Sequence, residues 1–140
     1  MKIGHQMKVL LTITASLLLL SNGIGAIYGG WQLINHPDGS SLQLSLSWLA
    51  RTPFTDYYMP GIILFLANGV LSLFVFAIQY VNYRYFPRLV VFQGAVLTGW
   101  IIMQMWLMQT VHIMQIVLGA VGIALMLVGT FLIKENRVKP

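Results

Sequence analysis

Neutral polar side chains inside apolar runs are the residues of this 140-residue sequence whose spacing could support chemistry. Gln93, Trp100 and Gln104 recur at i, i+7 and i+11, which places them on one face of a helix. His112 and Gln115, at i and i+3, are neighbours on the next helix. Together with two asparagines from earlier runs, they predict a small polar pocket. Its candidate residues are Asn22, Asn68, Trp100, Gln104, His112 and Gln115.

A second interpretation needs no ligand. Amides in membrane helices commonly hydrogen-bond across helices, and each such bond contributes about 0.6 kcal/mol. His112 has the only side chain of the set that titrates near neutral pH, and contact with water at a membrane interface explains a histidine there. The sequence leaves both interpretations open.

Catalytic and metal sites are not predicted. The chain has no cysteine, so thiol chemistry is excluded. No acidic or basic residue lies well inside an apolar run, which argues against ion-coupled transport. Small multidrug exporters have a similar length but depend on a glutamate in the first span, which is missing here. A haem-binding bundle would need two facing histidines, and His112 is the only histidine within an apolar run. We therefore expect no cofactor.

Composition requires the bilayer as solvent. Of the residues, 58% are hydrophobic and 8% are charged, against about 25% charged in soluble domains. Four apolar runs, 9–34, 60–81, 88–108 and 111–133, are each long enough to cross the membrane. A single helix over 88–133 would be about 69 Å long, so the chain must turn near Gln109 and Thr110. The predicted fold is a single all-α membrane domain, residues 1–140. It is a four-transmembrane-helix bundle with a structured outer loop, 35–59.

Within that loop, local signals predict turns and a helix start. The sequence NHPDG at 35–39 is typical of a turn. Thr52-Pro53 predicts an N-cap followed by proline at the first helical position. Asp56 would favour the dipole of that helix, and an ion pair between Arg51 and Asp56 would pin the loop.

Gly25 and Gly29 form a GxxxG pattern in the first run, and this spacing predicts close helix packing. A signal peptide is the alternative for the same segment. Lys2 and Lys8 would be its basic region, with cleavage after Gly25. The apolar run continues to Ile34, which favours a membrane span.

Basic residues predict the orientation. Seven of the eight lie at the two termini or in the middle connection, and only Arg51 lies in the loop 35–59. By the positive-inside rule, both termini lie on the cytoplasmic side of the cell membrane and the loop lies on the outer side.

A pattern of turn, cap and small residues is spread over most of the chain. It reads Gly29-Gly30, His36-Pro37-Asp38-Gly39, Trp48-Leu49, Thr52-Pro53-Phe54, Asp56-Tyr57, Pro60-Gly61 and Asn68-Gly69. The pattern resembles a group of small, uncharacterised bacterial four-span integral membrane proteins. The order PDG replaces the group's more usual DP-G. The resemblance implies fold and topology but no activity.

Two functions are therefore expected as alternatives. The first is a non-enzymatic accessory or self-associating membrane subunit. The second is a binder or carrier of a small neutral or lipid-like molecule in an outward-facing polar pocket. The expected partners are the lipid bilayer and either a second copy or another membrane protein, and no nucleic acid is expected.

Overall fold

The computed structural model describes residues 2–108 and 113–138, and this part of the chain is helical with no strand. Helix α1 covers Lys2–Asn35. The second span is one continuous rod of three parts: α2 (Tyr58–Ile63), a π-helical segment (Leu64–Val70) and α3 (Leu71–Val81). Helix α4 covers Phe86–Met108 and α5 covers Ile113–Val138. The predicted turn at Gln109 and Thr110 lies outside the described residues.

The described helices include four that are long and apolar enough to cross a membrane: Gly4–Asn35, Tyr58–Val81, Tyr83–Trp106 and Ile113–Glu135. This confirms the predicted all-α, four-helix fold of a multi-pass membrane protein. With 34 residues, α1 is about 51 Å long, well beyond the roughly 30 Å of hydrocarbon. Its first turns, which carry Lys2 and Lys8, therefore extend past the apolar layer or tilt into the interface.

Glycines bring α1 and the second span into close contact, but they are not the predicted pair. A Cβ on Gly30 would lie 2.8 Å from the carbonyl oxygen of Gly61, and one on Gly23 would lie 3.2 Å from that of Gly69. A Cβ on Gly25 would meet nothing within 4 Å, and one on Gly29 would make only an ordinary contact with Leu64. The packing seam uses the seven-residue spacing of Gly23 and Gly30, so the prediction for Gly25 is wrong within this chain.

Helices α4 and α5 pack along a second glycine seam. A Cβ on Gly94 would lie 2.6 Å from the carbonyl oxygen of Gly122, and one on Gly129 would lie 2.9 Å from that of Pro87. The main apolar core lies where α1, α3, α4 and α5 meet, around the fully buried Leu19, Phe86, Val90, Leu125 and Leu132. Small residues let these backbones approach, and larger ones fill the space between them.

The loop between α1 and α2 is ordered by local hydrogen bonds. It contains 3₁₀ turns at Ser40–Leu42 and Leu46–Leu49. Gly39 has a φ of 80°, which glycine adopts without strain. The backbone N–H of Ser40 donates to Asp38 at 3.0 Å and holds the pKa of that carboxyl below its usual value. The loop ends where the N–H of Tyr57 donates to the carbonyl oxygen of Pro37 at 2.8 Å.

Two predictions within the loop are wrong. Thr52-Pro53 does not begin a helix, because α2 begins at Tyr58, and Thr52 instead closes a turn by accepting from the N–H of Phe54 at 3.2 Å. Arg51 and Asp56 form no ion pair. Asp56 accepts the N–H of Tyr58 at 3.0 Å, while Arg51 is exposed. A carboxylate two residues before a helical N–H is satisfied locally, so it does not need the arginine.

The two ends of the bundle differ in charge. The end opposite the loop, here called the basic end, carries Lys8, Arg84, Arg88 and Lys134. There the hydroxyls of Thr12 and Tyr83 share a hydrogen bond at 2.7 Å. Lys8 Nζ lies 4.7 Å from the centroid of the Tyr83 ring. These contacts join the first turns of α1 to the connection before α4.

Candidate functional site

The predicted polar residues fall into two separate places. Asn22 and Asn68 lie in the middle of the bundle, and Trp100, Gln104 and Gln115 lie at the loop end. His112 lies outside the described residues. The single polar pocket predicted from the sequence is therefore divided into a buried polar cluster and a pocket under the loop.

The polar cluster consists of Asn22, Asn68, Ser72 and Gln93. Asn22 Nδ2 donates to the carbonyl oxygen of Asn68 at 3.2 Å and to Ser72 Oγ at 2.8 Å. Gln93 Nε2 donates to Asn68 Oδ1 at 3.4 Å. Asn68, Ser72 and Gln93 are completely buried. The cluster thus joins α1, the second span and α4 through amide groups.

The cluster holds the π-helical segment between two amides. At the end of this segment, the N–H of Leu71 donates to the carbonyl oxygen of Leu66, five residues earlier in the chain. The wide turn presents carbonyl oxygens to neighbouring helices. Asn22 donates to that of Asn68, and Gln93 donates to that of Ala67 at 3.3 Å. Inside a membrane, backbone groups freed by an irregular turn need such partners.

The pocket lies between the loop and the adjoining ends of the helices, with a volume of about 430 Å³. This is within the range of small-molecule sites. Its back wall is an apolar cluster of Leu33, Leu49 and Tyr57, all at most 5% exposed. The other lining residues are Leu42, Gln43, Leu44, Trp48, Thr52, Phe54, Pro60, Leu64, Trp100, Met103, Gln104, Ile113, Met114 and Gln115.

The polar groups that line the described part of the pocket are neutral. Its described lining includes no Asp, Glu, Lys, Arg or His side chain. Gln115 Nε2 donates to Gln104 Oε1 at 3.4 Å, so an amide pair lies on the side formed by α4 and α5. Burial raises the pKa of Tyr57, which keeps its hydroxyl protonated, and that hydroxyl donates to the carbonyl oxygen of Ser45 at 2.7 Å. Among the described residues, the lining therefore supplies no counter-charge to a charged ligand.

One rim of the pocket is apolar and exposed. Met103, Ile113 and Met114 line the pocket and are 52%, 75% and 63% exposed. They lie at the ends of α4 and α5, whose flanks face the bilayer in a membrane-spanning bundle. Methionine side chains are flexible and adapt to neighbours of different shape, which suits the rim of a pocket that opens toward lipid.

Sequence reasoning missed two members of the cluster. Gln93 shares its predicted helix face with Trp100 and Gln104 but is not among the residues of the predicted pocket. Ser72 is not among the predicted residues either, although its spacing of i+4 from Asn68 places both on one face of the second span. That spacing was the available signal. The pocket-lining leucines of the loop had no such signal, because their direction depends on the 3₁₀ turns.

No family model, curated protein or solved structure matches this chain.

Proposed function

We propose that this protein is a non-enzymatic membrane protein that binds a small, neutral, lipid-like molecule in the pocket under its loop. The observation that carries the proposal is the pocket itself. It has a volume of about 430 Å³, an apolar back wall and a neutral amide pair at one side. The buried leucines would receive an apolar chain, and Gln104 and Gln115 would receive a polar group that both donates and accepts.

The exposed rim supports entry from the bilayer. Met103, Ile113 and Met114 present apolar surface where the pocket opens. A hydrophobic molecule dissolved in lipid reaches such a rim without passing through water. The Trp48 and Trp100 side chains beside it provide flat apolar surfaces with polar N–H groups, which suit the interfacial depth.

The charge asymmetry supports an orientation. We propose that the protein lies in a bacterial inner membrane, with the basic end on the cytoplasmic side and the loop on the outer side. The pocket would then serve the outer leaflet.

A second candidate function, self-association or docking to another membrane protein, is favoured by one observation. Gly25 faces open space on α1, flanked by the exposed Ile24 and Tyr28. A glycine that packs on nothing inside the chain is available for a helix outside it.

The binding proposal is tested by purifying the full chain from membranes in mild detergent and identifying bound lipid by native mass spectrometry. The variant Leu44→Trp fills the pocket, because Leu44 lines it. The matched control is Leu46→Trp, two residues further along the loop, where the side chain is 45% exposed and outside the lining. We expect a defined neutral adduct on the parent and on Leu46→Trp, and its loss on Leu44→Trp.

Equal adducts on both tryptophan variants, or no adduct on the parent, would contradict the binding proposal. A dimer in the same spectra that is lost in Gly25→Leu but kept in Leu44→Trp would support the second candidate instead. Thermal unfolding of each variant confirms that it is folded.

A further inference from the structure

Two buried polar atoms of the cluster are left without a partner among the described residues. They are the amide nitrogen Nδ2 of Asn68 and the amide oxygen Oε1 of Gln93. Both side chains are 0% exposed. An unpaired polar group destabilises a protein interior, and bilayer hydrocarbon supplies no partner for it. One atom is a donor and the other an acceptor.

The two atoms belong to amides that already touch. Gln93 Nε2 bonds Asn68 Oδ1, which is half of a reciprocal amide pair. The other half, from Asn68 Nδ2 to Gln93 Oε1, is not formed. The carbonyl oxygen of Ala67 accepts from the same Gln93 nitrogen at 3.3 Å and fixes the orientation of the Gln93 amide. A carbonyl oxygen cannot donate, so flipping the Gln93 amide would set two oxygens against each other.

The surroundings limit what can complete the cluster. A Cβ on Gly69, the residue after Asn68, would lie 2.6 Å from Ile27 Cγ1. A Cβ on Gly94, the residue after Gln93, would lie 2.6 Å from the carbonyl oxygen of Gly122. The backbones beside both amides are therefore packed against neighbouring helices. A guest must be small, neutral, and able both to accept and to donate.

We infer that Asn68 and Gln93 bind one internal water molecule in the middle of the membrane domain. The water accepts a hydrogen bond from Asn68 Nδ2 and donates one to Gln93 Oε1. Buried waters typically have two to four such protein partners. This site is separate from the pocket under the loop and does not depend on the function proposed for it.

The test is water-edited solid-state NMR of the full chain in phosphatidylcholine bilayers, with nitrogen-15 in the side-chain amides and backbone. The Asn68 side-chain signal is assigned by its loss in Asn68→Leu. We expect it to receive magnetisation from water several-fold faster than the backbone amide of Val75, a fully buried residue of α3. In Gln93→Leu, which removes one partner of the water, this transfer should fall several-fold.

Ser72→Ala serves as the control for transfer relayed through a nearby hydroxyl, and the Asn68 transfer should persist in it. The inference is overturned if the Asn68 amide receives no more magnetisation than Val75. It is also overturned if the transfer is unchanged in Gln93→Leu or disappears in Ser72→Ala. The Val75 signal, unchanged in position, shows that each variant keeps the fold.

Discussion

The hydroxyl of Tyr57 donates a hydrogen bond to the carbonyl oxygen of Ser45 at 2.7 Å and so ties the end of the loop to its middle. The backbone N–H of the same residue bonds Pro37 at the start of the loop. Tyr57 is 3% exposed and forms part of the pocket wall. Through its side chain and its backbone together, Tyr57 therefore connects the start, middle and end of the loop and the start of α2.

Replacing Tyr57 by phenylalanine should lower the free energy of unfolding by about 1 kcal/mol, because a buried hydroxyl loses its hydrogen bond. The measurement is denaturant unfolding of the chain in detergent micelles. Tyr58→Phe is the matched control, since Tyr58 is exposed on the next position. Equal stability of the two variants would contradict the structural importance of the bond between Tyr57 and Ser45.

Alkaline pH should release the loop through the same residue. Burial raises the pKa of Tyr57 above its usual value of 10.0, so the folded state favours the neutral hydroxyl. Its contribution to stability is present below the unfolded pKa and is lost as pH rises through the folded pKa. We expect protease cleavage within residues 40–52 to increase as pH rises above 10.0 and through the raised pKa of this hydroxyl. The increase should be smaller in Tyr57→Phe than in Tyr58→Phe.

Gly30 and Gly25 should respond oppositely to alanine. Gly30→Ala would place a Cβ 2.8 Å from both the carbonyl oxygen of Gly61 and the backbone nitrogen of Phe65, and such overpacking costs about 1–3 kcal/mol. Gly25→Ala has open space and should lose no stability, because alanine favours helix. Thermal unfolding in the same detergent checks both. A larger loss in Gly25→Ala would place the packing seam on the GxxxG pattern instead.

Removing the amide of Asn22 should destabilise the bundle. Asn22→Leu deletes two hydrogen bonds, each worth about 0.6 kcal/mol in a membrane protein, so the expected total is about 1–2 kcal/mol. Ser21→Leu, at the neighbouring exposed position, is the control. Unfolding in mixed micelles provides the comparison. If Asn22→Leu were as stable as Ser21→Leu, the hydrogen bonds of Asn22 to Asn68 and Ser72 would contribute nothing to the free energy of unfolding.

Single cysteines test the proposed orientation, since the chain has none of its own. Ser45→Cys lies in the loop and Asn82→Cys lies in the connection at the basic end, and both positions are exposed. A membrane-impermeant maleimide added to intact cells should label position 45 only, with position 82 labelled after lysis. Labelling of position 82 in intact cells would reverse the orientation.

Much of the architecture was predictable because it depends on composition. The four apolar runs, the loop between the first two, and the segregation of basic residues can each be read from the kind of residue at each position. Hydrocarbon excludes charge whatever the packing partners are, so these features need no knowledge of contacts. The helix predicted to begin at Thr52-Pro53 does not form, so Asp56 does not have the predicted place in its first turn. Asp56 instead accepts the N–H of Tyr58, the first residue of α2.

The sequence alone determined which segments cross the membrane and which polar residues lie within them. The tertiary structure decided how each helix is rotated, and therefore which residues meet. The first span offers two glycine faces, and only contact with the second span selects Gly23 and Gly30 over Gly25. The π-helical segment widens one turn of the second span, so the residues before it and after it are rotated relative to a regular helical period. Only in the folded bundle does Asn68 meet Gln93, while Gln104 and Gln115 form a separate pair beside the pocket.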